Sequence, residues 1–488
     1  MRSGRSLPRV LLWSFARSFG SVGVAFLVNL VLVRYVSPHD FGLLAMLSFF
    51  MSFATTTTVG GFSQALIQRQ DLTRGDLNTV FTWNVVAALA LYILLFVFSG
   101  SVASWYGEPA SRDVLRVLGL AVPLQGLFLV HSAILQKELK TKTLALITIS
   151  SQVLGGLLAI ALAMQGAGVW ALVCNTLVTV ALTLIGMRVG LRLRLHIAFE
   201  KSAWSKLFSF GFSMYISQLF IDIYRSLQTV YVGKVFAAQP AGYYMQAQKL
   251  YEVPVYAVDA GVSQVTYPLL SSEQQHAERV GYYVRLQVRL IHWLLWPVVG
   301  LSVLVGRAAV ELLYGSTWLP SVPVFQALCL GGVFMLLMLV YLNALKALGA
   351  GWPHFWTILL SVAITALLLF VIPRGGVARV AAVFSGGWAV GALLAAMFLQ
   401  VRMPVIDREG VRDFLLALSV SAIVMLAVYA CIHKWLSITS PWLIVLLDSL
   451  LFLILYLPLL RWLAGGVWET VARVFLAVGR GGSPNGGL

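Results

Sequence analysis

Residues Thr79–Gly100 read TVFTWNVVAALALYILLFVFSG, 22 positions without one Asp, Glu, Lys or Arg. A bilayer core about 30 Å thick is crossed by roughly 20 apolar residues in a helix. This stretch is therefore long enough and apolar enough to span a membrane. Working outward, similar runs recur from Leu11 to Leu463. The chain is 60% hydrophobic and 11% charged, where a soluble domain has about 25% charged residues. The solvent for so much apolar surface is lipid.

Apolar windows bounded by charge, Pro and Gly predict fourteen spans, near 11–35, 41–67, 79–100, 114–136, 144–165, 168–187, 207–235, 241–270, 288–312, 323–347, 354–372, 378–399, 414–433 and 441–463. The fold class is an all-α, multi-pass integral membrane protein. The basic segment Met1–Val10 is followed by a long apolar stretch with no small-residue cleavage site, so it is read as the entry to the first span. An even number of spans puts both termini on one side. Lys and Arg of the terminal segments and alternate loops outnumber those of the opposite loops by roughly 23 to 7, which the positive-inside rule turns into N-in, C-in.

The net charge of +16 comes from basic residues scattered singly at span ends, not from a clustered nucleic-acid surface, so no nucleic-acid partner is expected. Cys174, Cys329 and Cys431 lie inside apolar runs with neither pairing nor metal-ligand spacing. No disulfide, metal site or cofactor is expected. No phosphate-cradling Gly-Lys-Ser loop, HExxH helix or nucleophile elbow occurs, and the outward loops are short, which argues against an enzyme.

An offset of 200 positions relates the two halves. Gly61, Ser63 and Gln64 match Gly261, Ser263 and Gln264, while Gly42 matches Gly242 and Arg34 lies opposite Lys234. Two repeated six-helix lobes with a substrate site between them are a common transporter plan. The expected division is an N-lobe over 1–200, a C-lobe over 201–400 and two added helices with a cytoplasmic tail over 401–488.

A charge at the bilayer centre costs about 2.5 to 3.5 kcal/mol on insertion scales and usually faces a bundle interior or an aqueous cavity. Such charges concentrate in three expected spans. The first carries Arg17. The seventh carries Tyr215, Gln218, Asp222, Arg225 and Gln228, and the eighth Lys249, Glu252, Tyr256, Asp259 and Ser263, each set spaced by three or four residues on one helical face. The second span adds Ser48, Ser52, Thr55 and Ser63. These four spans are expected to wall one polar cavity. Arg17, Arg225 and Lys249 are the candidates for gripping a pyrophosphate, with Gln218, Gln228, Tyr215 and Tyr256 as further substrate-binding candidates. A second reading stays open, in which Asp222 with Arg225 and Lys249 with Glu252 are local i, i+3 pairs that neutralise each other.

Several segments carry a family likeness. They are Ser37–Gly42 (SPHDFG), Ala65–Arg69 (ALIQR), Gly168–Val173 (GVWALV) and Gly242–Leu250 (GYYMQAQKL), followed by Pro254 and by Tyr267–Ser271 (YPLLS). In this order they resemble the polysaccharide-transporter, Wzx-like branch of the multidrug, oligosaccharidyl-lipid and polysaccharide exporter superfamily, over about residues 10–280. The resemblance implies two six-helix lobes around a central cavity, as in the multidrug (MATE-like) exporters. It implies alternating access on an undecaprenyl-diphosphate-linked oligosaccharide in the bacterial inner membrane. Membrane lipid and the polysaccharide polymerase machinery are then the expected partners, and H+ or Na+ the expected coupling ion. Where relatives often carry an Asp late in the seventh span, this chain has Gln228, so coupling is assigned to Asp222, Glu252 or Asp259, or directly to membrane potential. The rival classes are a membrane polysaccharide polymerase or glycosyltransferase and a small-molecule exporter of the multidrug type.

Overall fold

A computed structural model of the chain describes residues 7–68, 71–191, 193, 195–272, 277–348, 350–371, 375–432, 440–466 and 469. Of the charges behind the 23-to-7 orientation bias, Arg2, Arg5, Arg69, Arg192, Arg194, Arg374, Lys434, Arg473 and Arg480 lie outside these residues. The described residues form helices joined by short turns, with no strand among them.

The helices are α1 (Leu7–Tyr35), α2 (Pro38–Val59), α3 (Phe62–Gln68), α4 (Arg74–Tyr106), α5 (Ala110–Leu118), α6 (Ala121–Gly126), α7 (Leu129–Lys137), α8 (Thr141–Met164) and α9 (Val169–Gly190). There follow α10 (Lys201–Phe236), α11 (Ala238–Ser272), α12 (Ala277–Tyr314), α13 (Val322–Ala347), α14 (Gly351–Val371), α15 (Val377–Gln400), α16 (Arg408–Tyr429) and α17 (Pro441–Leu463). Eleven helices are long and apolar enough to cross a membrane, or twelve if a bent pair counts as one span. The expected count of fourteen requires α10 and α11 to cross as well. At 36 and 35 residues they reach roughly 50 Å at 1.5 Å per residue.

Local chemistry sets the helix starts. Ser37 caps α2 by accepting from the Asp40 amide at 3.1 Å, and Pro38 occupies the first turn, where its missing N–H costs nothing. Thr73 and Asp76 close a reciprocal capping box on α4. The span expected as one helix over 114–136 is instead α5, α6 and α7, bent by 43° between Gly126 and Leu129. Pro123 lies within this segment and lacks an N–H for the helical ladder.

The chain divides into two compact units, Met1–Met245 and Gln246–Leu488. The first unit thus includes α10, which the expected division at residue 200 assigns to the second lobe. Within it α8 packs on both α1 and α9. Side chains at Gly155 and Gly156 would overlap Thr179 and Val28, so small residues allow this close approach. In the same unit α4 packs on α5 and α6, and α2 packs along α10. The second unit repeats part of the plan, with α12 on α13 and α14 on α15.

The added helices α16 and α17 are fastened to α12. Arg289 donates through Nε to Asp413 at 2.5 Å and through Nη1 to Glu409 at 2.6 Å, while the Tyr456 hydroxyl donates to the Trp293 carbonyl at 3.0 Å. Asp413 is 1% exposed. Removing one partner of a buried pair costs about 3 to 5 kcal/mol, more than the pair is worth against an apolar replacement. Asp413→Ala is therefore expected to lower the melting temperature of the detergent-solubilised protein sharply, and Arg289→Met with Asp413→Leu to recover most of the loss. A single variant as stable as the parent would contradict this role for the pair.

Candidate functional site

The α2 helix ends in four consecutive threonines, Thr55 to Thr58. Two of them fold back on their own helix: Thr55 donates to the Met51 and Ser52 carbonyls at 2.9 and 3.0 Å, and Thr58 to Ala54 at 2.8 Å. The other two reach α10. Thr56 donates to Oδ2 of Asp222, and the Thr57 hydroxyl lies 3.1 Å from the Tyr215 hydroxyl. Toward the start of α2, Ser48 and Thr229 meet at 3.4 Å. Tyr215, Asp222 and Thr229 recur every seven residues and share one helical face. The polar face of α10 is thus laced to α2 through hydroxyls.

Asp222 has both oxygens occupied, because Gln218 Nε2 donates to Oδ1 at 3.0 Å. Hydrogen bonds to an ionised group are roughly twice as strong as neutral ones, and away from water they replace the solvation the carboxylate has lost. Gln228 is buried and accepts from the Tyr244 hydroxyl at 2.5 Å. A carboxamide at this position therefore ties α10 to the start of α11. The Arg225 side chain is exposed.

Arg17 belongs to a different helix pair of this unit. It is half-buried and lies one turn before Ser21, whose hydroxyl donates to Gln152 Oε1 on α8 at 2.8 Å. In the second unit, Tyr251 and Val255 seat α11 against its neighbours. The Tyr251 hydroxyl lies 3.7 Å from the Met335 sulfur, the Tyr251 ring 6.1 Å from that of Trp388, and Gly332 sits close to Val255. Lys249, Glu252, Tyr256 and Asp259 point about 100° away around the helix and are all half-buried. Gln248 Nε2 donates to Glu252 at 3.2 Å. No group of three or more His, Cys, Asp and Glu side chains among the described residues could hold a metal ion.

Sequence reading missed several polar residues. The α2 stripe was read through Ser52 and Thr55, whereas Thr56 and Thr57 make the bonds to α10. Arg116 lies within an expected span, its Nε donating to Ser99 at 2.8 Å and its guanidinium 4.4 Å from the Phe96 ring. Asp448 is fully buried in α17. A single acid within the apolar run WLIVLLDSLLFLIL was a legible signal. His131, by contrast, is a packed helix residue, 3% exposed with Nε2 3.3 Å from the Leu193 carbonyl.

The chain is 26% identical over 364 residues to the succinoglycan biosynthesis transport protein ExoT of Rhizobium meliloti, covering 74% of each chain. It is 24% identical over 371 residues to the teichuronic acid biosynthesis protein TuaB of Bacillus subtilis, covering 74% of this chain and 77% of that one. Among solved structures, the lipid II flippase MurJ in an inward closed conformation aligns with a TM-score of 0.75 at 15% identity, over 93% of this chain and all of that one. An inward-facing MATE transporter of the MOP superfamily, which groups multidrug, oligosaccharidyl-lipid and polysaccharide exporters, aligns with a TM-score of 0.62 at 15% identity, over 77% of this chain and 94% of that one. The two structural likenesses give the fold. Since the model of the polysaccharide biosynthesis protein family matches residues 31–323, more than half of the 488 residues, the chain belongs to that family.

Proposed function

We propose that this protein is a flippase, carrying undecaprenyl-diphosphate-linked oligosaccharide from the cytoplasmic to the outer leaflet of a bacterial inner membrane by alternating access. The observation that carries the reading is the family match running through the polar face of α10 and the start of α11, in a fold shared with a lipid II flippase. Relatives named as transport and biosynthesis proteins of succinoglycan and teichuronic acid support a polysaccharide precursor as cargo. The named transport relative also favours a transporter over a polymerase or glycosyltransferase. Likeness to a MATE transporter favours, as the second reading, export of a small molecule.

In this proposal Arg17, Arg225 and Lys249 attract the diphosphate, because guanidinium groups pair with phosphate oxygens in bidentate fashion and an ammonium acts as a point charge. Gln218, Gln228, Tyr215 and Tyr256 supply polar contacts. Asp222, with Glu252 and Asp259, is the candidate for coupling to H+ or Na+. The lobes over 1–200 and 201–400 are the proposed moving parts, with both termini cytoplasmic.

Two outcomes follow. Arg17→Ala with Arg225→Ala should abolish surface polysaccharide while the membrane level of the protein holds, and normal polysaccharide in that strain would overturn the assigned cations. Thr56→Val and Asp222→Asn should each lower export at least about tenfold, because a hydrogen bond to a charged group is worth about 1.5 to 3 kcal/mol and each 1.36 kcal/mol is tenfold in rate. Movement of the purified lipid-linked substrate across proteoliposome membranes reads the Thr56 and Asp222 variants. If these vesicles move a small-molecule drug and leave the glycolipid in place, the exporter reading replaces this one.

A further inference from the structure

The repeat at 200 positions takes physical form at two helix-entry turns. A Cβ placed on Gly42 would overlap the carbonyl of Ala238, and a Cβ placed on Gly242 would overlap the carbonyl of Pro38. Pro38 and Ala238 are equivalent positions, as are Gly42 and Gly242. Each turn therefore presses its proline or alanine carbonyl onto the glycine of the other, in a reciprocal contact with local two-fold character. At both glycines backbone meets backbone.

The two turns are not equally relaxed. Ser37, before α2, has φ −68° and ψ 153°, ordinary extended backbone. Its equivalent Ala237, between α10 and α11, has φ 73° and ψ −176°, a region that essentially only glycine enters without strain. Strain of this kind persists only where the surroundings over-determine it. Here the Ala238 carbonyl is held on Gly42. On the side of α10 just before the turn, the Lys234 ammonium bonds the Trp105 carbonyl and sits 5.1 Å from the Trp105 ring. The seam lies at the end of α10 opposite Lys201 and the basic loop before it, hence at the end away from the loading side in the flippase reading.

We infer that the Pro38–Gly42 and Ala238–Gly242 turns form a strained latch: the closed seam is the outer gate of the transport path, and relaxation of Ala237 drives it open for release. Strain at one turn only gives the latch a bias, so substitutions can push it in either direction. Ala237→Gly removes the strain and should hold the seam closed. Gly42→Val or Gly242→Val fills the contact and should hold it open.

The inference rests on the transport reading, but its test can fail independently. In a background with Cys174, Cys329 and Cys431 replaced by Ser, Ser48→Cys reports access beneath the seam to a membrane-impermeant maleimide added outside the cell. Labelling should rise about tenfold with Gly242→Val and fall with Ala237→Gly, relative to the reporter alone. Unchanged labelling in both variants overturns the latch, whatever the cargo. Because a valine variant can misfold, Pro38→Cys with Ala238→Cys is the second arm. A short bifunctional thiosulfonate joining the pair should stop export and reductant should restore it, and full export with the pair joined overturns the gate. Label changes as expected together with no movement of glycolipid would sustain the latch and reject the cargo.

Discussion

A charged or hydrogen-bonding side chain carried into lipid has no water to turn to, and its partners must come from the chain itself. The Asp222 carboxylate, held by Thr56 from α2 and Gln218 from its own helix, is where this constraint bears most directly on the proposed site. Around it the polar face of α10 is matched to the hydroxyls of α2 along their contact, with Tyr215 opposite Thr57 and Thr229 opposite Ser48. A helix pair joined mainly by neutral hydroxyls is held together by bonds of modest individual strength. That suits an element whose contacts are exchanged in the alternating access proposed above. The Arg289 pair with Asp413 and Glu409 is the contrasting case, a short charge-assisted junction that suits permanent fastening of the added helices.

Much of this was legible in the sequence because lipid imposes simple rules. Helix existence followed from apolar length, and the all-helical membrane fold and its transporter family followed from those runs with a handful of segments such as GYYMQAQKL. The repeat was faint in sequence, resting on a few identities such as Gly42 and Gly242. It becomes physical once those two glycines are found in reciprocal contact with the opposing backbones. What stayed hidden was pairing. Periodicity tells which face of α10 is polar, yet within the run Thr55 to Thr58 only three-dimensional packing decides which hydroxyls turn inward to α10 and which bond their own helix.

Breaks and bends were also hard to read. The span containing Pro123 looks continuous by hydropathy, yet it is divided into α5, α6 and α7, which pack against α4 and α9. Asp448 was overlooked for a different reason: an isolated acid leaves an apolar window apolar, although its cost in lipid makes it the more informative residue. Ala237 has no sequence signature at all, since nothing in its identity announces a left-handed backbone.

The central claim, movement of a diphosphate-linked glycolipid between leaflets, is tested most directly by locating that lipid in cells lacking the protein. Undecaprenyl-diphosphate-linked glycan should accumulate on the cytoplasmic leaflet, out of reach of a lectin added to spheroplasts and accessible in inverted vesicles. Accumulation on the outer leaflet would contradict the account and point to a later polymerisation or ligation step, and the absence of any accumulation would contradict it in favour of a small-molecule exporter.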